Sequence, residues 1–136
     1  TVLHQFRIRD NKLNMSVYMR SNDVWLGAAY DFFQFTRVQL AIASVLGIEP
    51  GTYNHHVGSL HIYEQHYGPA EELKYTDKIT PVPFFTGSTW TEVSDKALLA
   101  INAVDDAQAY ESADETVRWY TDAMAKPARK NREKSE

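Results

Sequence analysis

Cysteine is absent from all 136 residues, which excludes both a disulfide framework and a thiolate metal site. That absence fits the reducing cytoplasm, the expected location. Long apolar runs are missing too. The longest, within 41–47, is far too short to span a bilayer, and no charged-then-apolar secretory start is visible, so no membrane partner is expected. Positive charge is not in excess: 14 Lys and Arg stand against 18 Asp and Glu, for a net charge of −4. A mildly acidic chain argues against a broad nucleic-acid surface, and no direct nucleic-acid partner is expected. The local exception is Lys126, Arg129, Lys130, Arg132 and Lys134 around Pro127, read as a solvated tail over 126–136, with a contact site as the alternative. Internal repeats are absent. No metal is expected, because His55, His56, His61 and His66 lack the one-turn helical spacing of a zinc motif.

What is present suits one globular domain: a sufficient length, 43% apolar residues, 12% aromatics and mixed charge. Phe6–Arg9 and Leu13–Arg20 read as strands joined by the turn-favouring pair Asp10-Asn11. In the second, Leu13, Met15, Val17 and Met19 alternate with Asn14, Ser16, Tyr18 and Arg20, so one face is apolar. Ser21–Gly27 reads as a loop. Asp31 is placed to cap a helix running to Leu46, with Gly47 at its left-handed end. Apolar residues from Phe32 to Leu46 surround most of that helix, which predicts burial nearly all round.

Glu49-Pro50-Gly51 reads as a break and Thr52–Leu60 as a strand. His61–Lys74 reads as helical, interrupted at Gly68-Pro69. Lys78–Phe85 reads as extended, with its prolines confining it to an edge or loop. Thr89–Glu92 and Ser112–Glu115 fit the capping-box pattern and predict helices near 90–103 and 113–125.

Two blocks carry a family resemblance. Met19-Arg20-Ser21-Asn22-Asp23-Val24-Trp25-Leu26-Gly27 resembles the Q-R-S-x-D-x-x-L-G signature of thymidylate synthases. Gly58-Ser59-Leu60-His61-Ile62-Tyr63-Glu64-Gln65-His66 resembles their G-D-x-H-x-Y-x-x-H block. Order and spacing agree over residues 5–73, beyond which the resemblance stops. Met19, Ser59 and Ala29 depart from the usual glutamine, aspartate and proline.

The resemblance implies an α/β fold, a sheet packed on the long helix with extra C-terminal helices, over a domain of residues 1–125. It also implies a pyrimidine nucleoside monophosphate and 5,10-methylenetetrahydrofolate as ligands. A homodimer formed through the sheet, or an assembly with a missing N-terminal half, is the implied state.

By the same resemblance Arg20 and Ser21 hold the phosphate, as a forked guanidinium and a short hydroxyl suit a dianion. Asp23 lies between nucleotide and folate, Gly27 lets the backbone approach the base, and His61 with Tyr63 bonds the sugar 3′-hydroxyl. Local alternatives stay open: a surface arginine, an Asx turn at Asp23, a positive-φ turn at Gly27, and a polar strand end at His61 and Tyr63.

Asp31 is the informative departure. Thymidylate synthases carry asparagine here, whose amide accepts from N3–H and donates to O4 of uracil. Cytosine reverses both edges, and a carboxyl group suits it, accepting from the 4-amine and, if protonated, donating to N3. Aspartate resembles the deoxycytidylate and cytidylate hydroxymethylases. Helix capping is the alternative role.

The family attacks C6 with a cysteine thiolate, which makes C5 nucleophilic toward the one-carbon unit. Alignment places that cysteine just upstream of Thr1. Three explanations stand: a separate or cleaved N-terminal piece completes the enzyme, the chain is a non-catalytic nucleotide binder, or Thr1 acts as an N-terminal nucleophile. The leading expectation is a component of a (d)CMP hydroxymethylase. The alternatives are a thymidylate synthase acting on dUMP or a regulatory pyrimidine-nucleotide binder.

Overall fold

Asp10 and Asn11 both take positive φ, 51° and 57°, as a two-residue hairpin turn between twisted strands requires. They join strand β1 (Leu3–Arg9) to β2 (Lys12–Asp23), paired antiparallel from Leu3↔Tyr18 to Arg9↔Lys12. Helix α1 (Gly27–Leu46) then carries the chain over the sheet to β3 (Glu49–His61). Because a helix makes the crossover, β3 lies parallel to β2. The order is β1-β2-β3. This computed structural model describes residues 1–74, 82–103 and 107–132. The chain divides into two compact units, residues 1–81 and 82–136, and its class is mixed α/β.

The alternation in β2 sets the first core. Leu13, Met15 and Val17 are buried, and Met15 and Val17 pack with Phe35 of α1 while Met19 and Tyr53 close the edge. The helix is not buried all round. Tyr30 is 75% exposed, Leu46 50%, Phe32 46% and Phe33 42%; burial along the helix is confined to Ala28, Phe35, Gln39, Ala41 and Ala43.

Buried Gln39 ties the helix to both strands. Its Nε2 donates to the carbonyls of Leu13 at 2.7 Å, Gly51 at 3.2 Å and Thr52 at 3.4 Å. These carbonyls flank the register irregularity between Leu13 and Met15. Replacing Gln39 with leucine keeps the volume and orphans the carbonyl of Leu13. We expect a loss of about 1–3 kcal/mol, read as a lower urea midpoint at unchanged slope.

Several boundaries differ from expectation. β3 begins at Glu49, so Glu49-Pro50-Gly51 is a strand start rather than a break. Asn14 Oδ1 accepts from Thr52 N at 2.9 Å and satisfies the donor that the irregularity frees. β2 runs on to Asp23, since pairing persists to Asp23↔His61, and the expected Ser21–Gly27 loop shrinks to three residues. The helix begins at Gly27, four residues before Asp31, and its N-cap position is Leu26, with no side-chain cap. Asp31 is therefore not the cap. Gly47 does end α1 in the left-handed conformation, at φ 65°.

His61 closes β3 rather than opening a helix. Only a 3-10 turn (Glu64–His66) and the short α2 (Tyr67–Glu71) follow, limited by Gly68-Pro69. The Lys78–Phe85 segment is described only from Val82 onward, where no strand forms.

In the second unit, α3 (Trp90–Asn102), α4 (Ala107–Ser112) and α5 (Glu115–Arg132) enclose Ala100, Ala113 and Val117, flanked by Phe85, Leu99 and Tyr120. Thr89 caps α3, accepting from Glu92 N at 3.2 Å. α5 is capped not by Ser112 but by Asp114, which accepts from Val117 N at 2.9 Å. The Ser112 hydroxyl instead donates to Ala109 O. Backbone helix continues past the expected tail boundary at 126 as far as Arg132, in a stretch rich in the strong helix formers Ala, Lys and Arg. Residues 133–136 lie outside the described residues.

Candidate functional site

The C-terminal ends of two parallel strands, beside the start of the helix that joins them, form a natural ligand position. Here the pairs Ser21↔Ser59, Asn22↔Leu60 and Asp23↔His61 bring both motif blocks side by side, and Val24 N donates to His61 O at 2.8 Å. Asp23 folds back on its own loop, its carboxylate accepting from Trp25 N at 3.0 Å and Leu26 N at 3.2 Å. That is the Asx turn weighed as the local reading, and it steers the chain into α1. Gly27 does not have positive φ. Its small size serves close packing instead, for a Cβ there would collide with Asn22 Oδ1.

The rings of His61 and Tyr63 meet edge-on at 5.2 Å, and Trp25 stacks on His66 at 5.6 Å. Tyr63 also lines an open cleft with Ile62, Glu64, Gln65 and Tyr67. Asp23, Gly27, His61 and Tyr63 thus share one end of the sheet. Arg20 stands on β2 beside them, exposed. Among the described residues its guanidinium has no hydrogen bond or ion pair with Asp23 or any other side chain. The neighbouring Ser21 is half-buried and its hydroxyl is likewise uncommitted.

Asp31 points its chemistry elsewhere in the same end. It lies half-buried one turn into α1, and its negative charge acts on Tyr53 and His55 of β3. Those two join Asn22 in a polar chain. The Tyr53 hydroxyl sits 2.7 Å from His55 Nδ1, and His55 Nε2 lies 3.2 Å from Asn22 Nδ2. Phe32 packs on the imidazole at 4.6 Å and Phe35 at 6.2 Å. Sequence reasoning missed this chain, weighing His55 only as a metal ligand. The available signal was the two-residue spacing of Tyr53 and His55, which points both toward the face of their register partners Met15 and Val17.

Burial, with the charge of Asp31 second, pushes the Tyr53 phenol up to about 12. Burial also lowers His55. Asp31 opposes that shift and neighbouring His56 adds to it. Between the lowered folded value and the ordinary value of about 6.5, the unfolded imidazole binds a proton that the folded one does not. Stability from this group is therefore full above about pH 6.5 and is lost as pH falls through the folded value. We expect the urea midpoint to drop from about pH 7 to about pH 5, and His55→Gln, which does not titrate, to flatten that slope.

The sequence model of the thymidylate synthase family matches residues 1–118, well past Leu73, where the motif resemblance ends. Among solved structures, the thermostable thymidylate synthase A from Bacillus subtilis is 35% identical. The match covers 50% of this chain and 24% of that enzyme, with a TM-score of 0.49. The chain therefore spans about a quarter of that enzyme's length. The family match runs from the first strand through both motif blocks and into the helical unit, and by it this chain belongs to the thymidylate synthase family.

Proposed function

We propose that this chain is the nucleotide-holding part of a thymidylate synthase-family transferase acting on a cytosine nucleotide. In this reading a one-carbon unit passes from 5,10-methylenetetrahydrofolate to C5 of CMP or dCMP, tetrahydrofolate departs, and water adds to the exocyclic methylene so that C5 keeps a hydroxymethyl group. Arg20 and Ser21 take the phosphate, His61 and Tyr63 the sugar, Gly27 the close approach of backbone, and Asp31 the base edge. Asp23 shapes the loop between them and offers its remaining acceptor capacity to the folate. A homodimer is the proposed assembly.

The observation that carries the base choice is Asp31 itself: half-buried, not used as a helix cap, and without a hydrogen-bond partner among the described residues. A carboxylate in that state accepts two donors, which the 4-amino group of cytosine supplies and O4 of uracil does not. Calorimetry of the chain with CMP, dCMP and dUMP tests this. A cytosine nucleotide should bind at least about tenfold more tightly, since one wrongly matched buried polar group costs that much. Equal or better binding of dUMP would remove the cytosine assignment and leave a thymidylate synthase component.

A second reading, nucleotide binding without chemistry, is favoured by one observation. These 136 residues contain no cysteine, so the thiolate that adds to C6 is not supplied by them. Tritium release from a 5-tritiated nucleotide with methylenetetrahydrofolate separates the two. Release by material from the native source supports the transferase, and its absence supports the binder.

A further inference from the structure

Asn22 is 4% exposed, and its amide has a defined sense. The Nδ2 group faces His55 Nε2 and, at 3.7 Å, Met19 Sδ, while Oδ1 lies against Gly27. With a donor opposite it, His55 Nε2 must be the acceptor nitrogen, so a neutral imidazole carries its proton on Nδ1. That N–H donates to the Tyr53 oxygen at 2.7 Å. The phenol oxygen is thereby occupied as an acceptor, and its own hydrogen is left to give. Neither that hydrogen nor the Asp31 carboxylate has a hydrogen-bond partner among the described residues. Phe32, the neighbour of Asp31 on α1, packs edge-on against the Tyr53 ring at 6.2 Å, so donor and acceptor come from adjoining parts of β3 and α1, where the charge of Asp31 acts on the phenol.

We propose that Tyr53 is a second base-reading residue, its O–H donating to N3 of cytosine while the Asp31 carboxylate accepts from the 4-amino group. His55 and Asn22 are positioning residues that keep Tyr53 a donor. The inference rests on the reading that Asp31 faces the base. It changes the chemistry of recognition, because a neutral cytosine then meets one donor and one acceptor and no protonated carboxyl is needed. Uracil meets the reverse at both atoms, N3–H against O–H and O4 against a carboxylate.

The groups packed around this chain leave the assignment intact across neutral pH. α1 contributes Asp31. β3 contributes His56, which turns to stack on Tyr18 at 4.5 Å. β1 contributes His4, edge-on to Phe35 at 4.8 Å. β2 contributes Asn22 and Met19, neither of which titrates. Burial holds His55 neutral, and the phenol keeps its hydrogen to about 12.

The test is calorimetry with CMP and dUMP between about pH 7.5 and pH 9, a range in which the nucleotide phosphate is a dianion, a phenol stays protonated and an ordinary carboxyl does not. For the unaltered chain, CMP affinity should stay level. Affinity falling about tenfold per pH unit would instead identify a protonated carboxyl as the donor and overturn the role of Tyr53. Tyr53→Phe should weaken CMP by about tenfold or more and leave dUMP nearly unchanged, whereas a purely structural role would weaken both alike. Should that variant fail to fold, His55→Leu carries the same test, since it removes the N–H that fixes the phenol and should lower the CMP-to-dUMP ratio. Two failures are distinguishable. If Asp31→Asn leaves base preference untouched, the reading of Asp31 falls and takes this inference with it. If Asp31→Asn shifts preference while Tyr53→Phe keeps full CMP affinity, only the role of Tyr53 is wrong.

Discussion

Asp31→Asn is expected to reverse the order of affinities, with dUMP bound above CMP and dCMP. The amide presents a donor where the carboxylate had only acceptors, so it loses the bond to the 4-amine and gains one to O4. A hydrogen bond to a charged group contributes about 1.5–3 kcal/mol, and each 1.4 kcal/mol is about a factor of ten in affinity. The expected loss for CMP is therefore about 10–100-fold, and the ratio of the two nucleotides moves further because dUMP gains. Folding should hardly change. Asp31 lies in the second turn of α1 and caps nothing, so even Asp31→Ala should stay within about 0.5 kcal/mol, whereas a true cap would cost about 1 kcal/mol. The same substitution removes the charge that raises Tyr53 and His55, and both titrations should move down. Calorimetry and a histidine NMR titration on one variant check both halves.

Arg20→Ala should weaken every nucleoside monophosphate by about 10–100-fold, the range for a charge-assisted bond to phosphate, without altering base preference. Nucleosides lacking phosphate should bind the variant as they bind the parent. Stability is expected to hold, because the exposed guanidinium makes no hydrogen bond or ion pair with another side chain among the described residues. Lysine at this position should recover only part of the loss, since an ammonium cannot form the two parallel bonds of a planar fork. A phosphate contact also predicts that raising salt weakens the parent more than the alanine variant. If Arg20 is only a surface residue at a strand end, nucleotides and nucleosides alike will bind parent and variant equally.

These effects depend on features that were unequally legible in the sequence. Alternation in Leu13–Met19 disclosed the buried face of β2, and Asp10-Asn11 disclosed the hairpin, because both signals are local. The start of α1 was not legible. Asp31 has the chemistry of a cap, but Asp23 had already turned the chain into the helix by binding Trp25 N and Leu26 N. The length of β3 depended on pairing with β2 as far as Asp23↔His61, a tertiary constraint that overrode the helical look of His61–Lys74. All-round burial of α1 failed for a similar reason: apolar composition records what a helix is able to bury, and burial along this one is confined to Ala28, Phe35, Gln39, Ala41 and Ala43. The motif residues were found by family pattern, yet Asn22 passed as an unassigned letter within it. Its role appears only when β3 brings His55 alongside.

In the proposed function Arg20–Gly27, Asp31 and His61–Tyr63 surround one pyrimidine nucleotide. Amide NMR of the chain titrated with CMP tests it most directly. Saturable shifts are expected in those segments and at Tyr53 and His55, greatly weakened by Arg20→Ala. Absence of saturable shifts, or shifts centred instead on the basic hairpin of Arg7, Arg9 and Lys12, would contradict it.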